Sequence, residues 1–138
     1  MTPEYAAGLF DGEGCVSLNL HIKRNGTPQY QLCVSVGGCY KPTIDALGAQ
    51  FGGRVRDDSN YESRKGTKPF FNWRATGQDA VRFLEQIYPY SLEKATQVWL
   101  ALEYRAQISR NRAGLTDSEI ALREGFRLAI RSQKERRF

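Results

Sequence analysis

Two stretches of the chain alternate between apolar and polar residues. From Cys15 to Lys23, the apolar Val16, Leu18, Leu20 and Ile22 point one way, and Ser17, Asn19, His21 and Lys23 point the other. That period of two predicts a half-buried strand. Asn25-Gly26 is a hairpin turn signal. Gln29–Val36 then alternates again, with Tyr30, Leu32, Val34 and Val36 inward and Gln29, Gln31, Cys33 and Ser35 outward. Gly37-Gly38 breaks the pattern. Arg54-Val55-Arg56 reads as a short strand with both arginines outward, and residues 57–69 as a polar loop. Phe70–Thr76 reads as a fourth strand, with Phe71, Trp73 and Ala75 inward and Phe70, Asn72, Arg74 and Thr76 outward.

Helical patterns fill the rest. Thr2 and Pro3 suit an N-cap and a first helical position, so a helix runs from Pro3 to about Asp11. Pro42 opens a second, with Ile44, Leu47 and Phe51 on one face and Gly52-Gly53 at its end. Thr76 caps a third, whose stripe of Val81, Leu84, Ile87 and Tyr88 stops at Pro89. Ser91 caps a fourth that buries Leu92, Ala95, Val98, Trp99 and Leu102. Thr116 with Glu119 predicts a capping box, and Leu115 with Ile120 a hydrophobic staple, before a last helix to about Lys134. The expected fold is α+β: an αββαββα core with a four-stranded antiparallel sheet, helices on one face and extra C-terminal helices. At 138 residues the chain is read as one domain.

The sheet face away from the helices would carry Ser17, Asn19, His21, Lys23, Gln29, Gln31, Arg54, Arg56, Asn72 and Arg74. These are hydrogen-bonding types with no acid among them, and long amides and arginines are the side chains that read base edges in the major groove. Charge supports a nucleic-acid partner. Residues 15–76 carry nine Lys/Arg against four Asp/Glu, and residues 105–138 again nine against four, so the net charge of +5 is concentrated in two basic blocks. No apolar run approaches the roughly 18 residues of a membrane span, and the N-terminus has no signal-peptide pattern. Cys15, Cys33, Cys39 and His21 fit no usual zinc spacing. Unpaired thiols suit a reducing intracellular compartment, such as the cytoplasm of a bacterial or phage-infected cell or an organelle.

One stretch stands apart, Ala6-Ala7-Gly8-Leu9-Phe10-Asp11-Gly12-Glu13-Gly14. Gly8 and Gly12 share one helical face and leave it bare, so a second helix backbone can come very close. The helix would end on a carboxylate between two glycines, a setting that suits a hard divalent cation. This stretch resembles the signature of the LAGLIDADG homing endonucleases. Pro89-Tyr90-Ser91-Leu92-Glu93-Lys94 is a second resemblance, to the family's proline and aromatic shortly before a lysine-bearing helix. The resemblance spans roughly residues 3–105, with 106–138 as a C-terminal helical extension.

It implies a saddle-like sheet on double-stranded DNA and Mg²⁺- or Mn²⁺-dependent hydrolysis of a long, pseudo-palindromic site. Glu13 would hold the metal with the Gly12 carbonyl, Lys94 would approach the scissile phosphates, and Tyr40 falls at a position that is usually an amide. A single motif implies a homodimer with Ala7, Gly8, Phe10 and Asp11 at the interface, Asp11 supporting the helix end rather than binding metal. Two copies of a strand platform about 30 Å long would cover about 20 base pairs. Two other readings remain open: a non-cleaving DNA- or intron-RNA-binding protein on the same scaffold, and a helix-turn-helix regulator built from residues 91–131.

Overall fold

The computed structural model describes residues 1–60, 68–108 and 115–135. Helix α1 (Pro3–Glu13) runs straight into strand β1 (Gly14–Ile22), which pairs with β2 (Pro28–Gly38). Next come α2 (Lys41–Phe51), β3 (Arg54–Asp57), β4 (Phe71–Thr76) and α3 (Gly77–Ile87). A 3₁₀ turn (Tyr88–Tyr90), α4 (Ala95–Gln107) and α5 (Asp117–Glu135) complete the chain. The strands form one antiparallel sheet in the order β1-β2-β4-β3. Among the described residues this is the expected α+β architecture, a four-stranded antiparallel sheet with five helices.

The inward strand residues Val16, Leu18, Leu32, Val34, Val36, Trp73 and Ala75 are buried against the helices. Phe83 of α3 stands at the centre of the core. Its ring meets Phe10 at 5.4 Å, Phe51 at 4.9 Å and Trp73 at 4.9 Å, all edge-to-face, the arrangement that aromatic quadrupoles favour. Trp73 satisfies its buried Nε1–H on the Gly52 carbonyl at 2.8 Å. The last helix belongs to this core as well: Ile130 is buried, and Phe126 meets Tyr104 of α4 at 5.9 Å.

Several expectations need correcting. Leu20 and Ile22 point to the helical side but are exposed, Ile22 to 56%. Strands of nine and eleven residues reach about 30–37 Å, whereas α1, α2 and α3 have eleven residues each and span about 16 Å. The tip of the β1–β2 hairpin therefore extends past these three helices, and α5, which reaches Tyr30 opposite Leu20, leaves Leu20 and Ile22 exposed. Helix α4 starts at Ala95, and Leu92 and Trp99 are 85% and 46% exposed rather than buried. Val98 is buried as expected, and Lys94, Gln97, Ala101 and Tyr104 face inward with it. Ser91 donates its hydroxyl back to the Ile87 carbonyl at 3.0 Å and caps nothing. Thr76 sits at the N-cap of α3 without a side-chain cap bond. Of the capping box at α5, the Glu119 N–H to Thr116 Oγ1 arm forms at 3.2 Å, while the Glu119 carboxylate turns to Arg123.

The start of α4 has been moved by a residue from the other end of the chain. The Asp11 carboxylate accepts backbone N–H bonds from Leu92 at 2.9 Å, Glu93 at 3.2 Å and Lys94 at 3.1 Å. It thereby does for α4 what an N-cap side chain usually does. In return, the Lys94 ammonium donates to the Asp11 carbonyl at 2.5 Å, where the C-terminal end of the α1 dipole favours a cation. The two helix ends cap each other. Replacing Asp11 with Ala strands three N–H groups and leaves the Lys94 ammonium beside an uncovered helix end. The variant is expected to lose about 2 kcal/mol, read as a lowered midpoint in urea denaturation followed by circular dichroism. An unchanged midpoint would mean that the mutual cap contributes nothing.

Candidate nucleic-acid interface and the carboxylate at the exit of helix α1

The register lays the outward residues out in rows across the sheet. Asn19 is opposite Gln31 and His21 opposite Gln29. Ser17 is opposite Cys33, which is opposite Thr76. Cys15, Ser35, Arg74 and Arg54 form one row across all four strands, and Gly37, Asn72 and Arg56 form another. Nine of the ten predicted contact residues therefore share one face of the sheet. Lys23 lies just past the end of β1, where its N–H bonds to Thr27 in the turn. Cys33 was expected to be outward; it is on that face but buried. Burial pushes its thiol pKa up, and Arg74 beside it pulls weakly the other way.

Two hollows mark the β4–β3 side of the face. One is lined by Gln31, Gly53, Arg54, Arg74, Thr76 and Asp79, the other by Arg54, Val55, Arg56, Asn72 and Arg74. Arg54 and Arg74 are directly opposite each other, an arrangement of like charges that works against the sheet's own stability. Asp79 reaches the same hollow but is paired with Arg82. Arg56 is held by Asp58, with Nε–Oδ1 2.6 Å and NH2–Oδ2 3.4 Å, and Asp58 itself is buried. Asp58 falls in the stretch 57–69 that reads as a polar loop. Its signal was the i, i+2 spacing from Arg56, which puts the two on one side of an extended chain.

At the exit of α1, Gly12 and Glu13 are exposed. A Cβ built on Gly8 or Gly12 would meet nothing within 4 Å, so that face of the helix is open. Gly14 is needed for a different reason: a Cβ there would lie 2.2 Å from the Phe10 ring. The glycine lets Phe10 pack under the start of β1. Two of the residues expected at a subunit interface are inside their own subunit. Ala7 and Phe10 are fully buried in the core, because the helix turns those positions toward α3 and the sheet. Asp11 has its carboxylate committed to α4. The open face consists of Glu4, Tyr5, Gly8, Gly12 and Glu13.

Lys94 is 2% exposed, with its ammonium on the Asp11 carbonyl, two residues before Glu13. Tyr40 is exposed in an apolar hollow with Met1, Thr2, Tyr5, Pro42, Thr43 and Ala46. That is the N-terminal half of α1, and Tyr5 is about 12 Å along the helix from Glu13. Among the described residues, no three His, Cys, Asp or Glu side chains come together as a metal cluster. One subunit offers the Glu13 carboxylate and the Gly12 carbonyl. That donor set fits Mg²⁺, which binds through one or two carboxylates and fills its octahedron with waters and substrate phosphates.

The fold is that of solved homing endonucleases. The chain superposes on I-CvuI, crystallised with the I-CreI target and 2 mM Mg with the DNA not cleaved, at TM-score 0.77 and 15% identity, covering 95% of this chain and 80% of that one. It superposes on the archaeal intron-encoded homing endonuclease I-Vdi141I in complex with DNA at TM-score 0.77 and 12% identity, over 99% and 86%. For the homing endonuclease I-TnaI the values are 0.69 and 18%, over 98% and 97%. Against I-SmaMI, bound to an uncleaved DNA target with calcium ions, the TM-score is 0.70 at 18% identity, and 96% of this chain matches only 45% of that one. No protein-family model and no curated protein sequence matches the chain. Among the described residues, no helix is long and apolar enough to cross a membrane.

The like-charge pair predicts an unusual combination of effects. Arg74→Ala relieves the repulsion with Arg54, so its thermal midpoint is expected to stay level or rise. Its binding to a selected duplex is expected to weaken by about 1–3 kcal/mol, with relaxed base preference where Arg74 makes contact. Thermal melting together with a binding-site selection profile checks both. A variant that loses stability while keeping its base preference would make Arg74 a structural residue.

Proposed function

We propose that the chain is a divalent-metal-dependent, sequence-specific double-strand DNA endonuclease that acts as a homodimer. One observation carries this reading. The glycine-opened face of α1 ends on the exposed Glu13, and the next residue begins the first strand of a polar sheet face whose outward strand residues include no acid. A helix face opened by Gly8 and Gly12, with Glu4 and Tyr5 beside them, is suited to meet its own copy across a two-fold axis, which would bring two Glu13 carboxylates together. A divalent cation held by these carboxylates would supply an activated water and neutralise charge on the leaving oxygen. Glu13 holds the cation, the Gly12 carbonyl adds a ligand, and the polar sheet face sets the register on the duplex. The neighbours support a paired unit: the chain matches nearly all of I-TnaI but under half of I-SmaMI.

A second reading has its own observation. A lysine that stabilises a scissile phosphate must reach it, yet the Lys94 ammonium is buried on the Asp11 carbonyl. Tyr40, the other residue the resemblance brings to the reaction, lies toward the far end of α1. Both features favour a DNA-binding protein on this scaffold that does not cut. Lys94 then acts as a structural cap, and Glu13 has no catalytic duty.

Two variants separate these readings. Glu13→Gln keeps the shape and removes the charge, so cleavage of the selected duplex in Mg²⁺ is expected to fall by several orders of magnitude with affinity largely kept. A near-wild-type rate would remove Glu13 from the chemistry. Gly8→Leu puts a branched side chain where two helix backbones should touch, an overpacking of about 1–3 kcal/mol applied twice across the axis. Light scattering is expected to report a folded monomer that binds half-sites weakly. A variant that stays dimeric would move the interface elsewhere.

A further inference from the structure

Helix α5 is fixed against the β1–β2 hairpin at successive turns, through Tyr30 of β2 and Cys15 of β1. Glu124 accepts the Tyr30 hydroxyl at 3.2 Å, Ile130 is buried, and the Lys134 ammonium lies 3.2 Å from Cys15 Sγ. Phe126 against Tyr104 ties the same helix to α4. With its rotation fixed in this way, Arg127, Arg131 and Lys134 fall along one side of the helix. They line a hollow with Ser17, Leu18 and Asn19 of β1, and Ser17 and Asn19 belong to the outward polar face of the sheet. The hollow is thus a gutter between that face and a wall of three basic side chains.

The wall is only partly neutralised. Arg127 gives its Nε to Glu124 at 2.5 Å. Arg131 approaches Glu135 at just 4.0 Å, with the two side chains 68% and 74% exposed, a pair that contributes little. Lys134 rests against a thiol rather than a carboxylate. From residue 127 to residue 134 the helix advances about 10 Å. One strand of B-DNA places about three phosphates over that axial length.

We propose that this gutter holds the sugar–phosphate backbone of one strand of the duplex. The proposal rests on the DNA-binding reading above and adds α5 to the binding surface. Its charges would fix where the duplex lies on the sheet, with Ser17 and Asn19 as hydrogen-bonding partners on the opposite wall. Contacts of this kind position a protein and carry no base information.

The test is the salt dependence of binding, from 50 to 200 mM, for the wild type, the double variant Arg131→Ala/Lys134→Ala and the charge-keeping double variant Arg131→Lys/Lys134→Arg. Each protein is titrated with its selected duplex and with an unrelated duplex. Loss of two phosphate contacts lowers the slope of log K against log salt by about two. The expected result is that loss for both duplexes in the alanine variant, recovery in the charge-keeping one, and an unchanged base-preference profile in both. A wild-type slope in the alanine variant, or a shift in base preference, would overturn the proposal. A wild type that binds no duplex at any salt would overturn the DNA reading itself, and the gutter with it.

Discussion

The structure depends on the exchange between Asp11 and Lys94. Helix α1 must end where its face is bare and its carboxylate exposed, and a helix that ends in the open would fray. Here the Asp11 carbonyl meets the Lys94 ammonium, and the Asp11 side chain fixes three N–H groups at the start of α4. An anion at one helix's N-terminus and a cation at another's C-terminus both complement the macrodipoles. The joint places Glu13 at the point where α1 gives way to β1. Anything that loosened it would move the carboxylate relative to the sheet face.

The rest of the molecule divides its chemistry between its two sides. The helical side spends its apolar residues on the Phe83-centred core, and the open side keeps polar residues and cations at some cost. Arg54 opposite Arg74 is one such cost, and on the helical side the exposed Leu20 and Ile22 at the hairpin tip are another. A sheet selected only for stability would pair an arginine with a carboxylate and cover its strands. Both departures make sense if a long polyanion occupies the face, since a platform longer than its helical cover reaches further along a duplex. Asp58 beneath Arg56 and α5 along β1 do the opposite work of holding cations in place.

Most of this was legible in the sequence because alternation and bare helix faces are local signals. The strand faces followed from period two, and the register then joined the outward residues of separate strands into rows. The failures came where a distant partner overrode a local rule. Ser91 looks like an N-cap, and Leu92 and Trp99 look buried, until Asp11 takes the N–H groups from across the fold and shifts the start of α4. Ala7 and Phe10 share the motif with Gly8 and Gly12, but only the placement of α3 decides which of them face inward. Leu20 and Ile22 follow the strand pattern, and no pattern within the strand reports how far the helices reach. Asp58 could have been found from its spacing to Arg56, whereas the contact of Lys134 with Cys15, 119 positions apart, could not.

Cutting of both strands of a duplex at a chosen sequence by two copies of this chain is the proposed activity. It is tested most directly by incubating the protein with a library of randomised duplexes and Mg²⁺ and sequencing the double-strand ends. The account predicts ends at one long, nearly symmetric sequence, absent when the metal is chelated. Selective retention of duplexes with no ends formed in Mg²⁺ or Mn²⁺ would contradict it and leave a protein that reads DNA without cutting it.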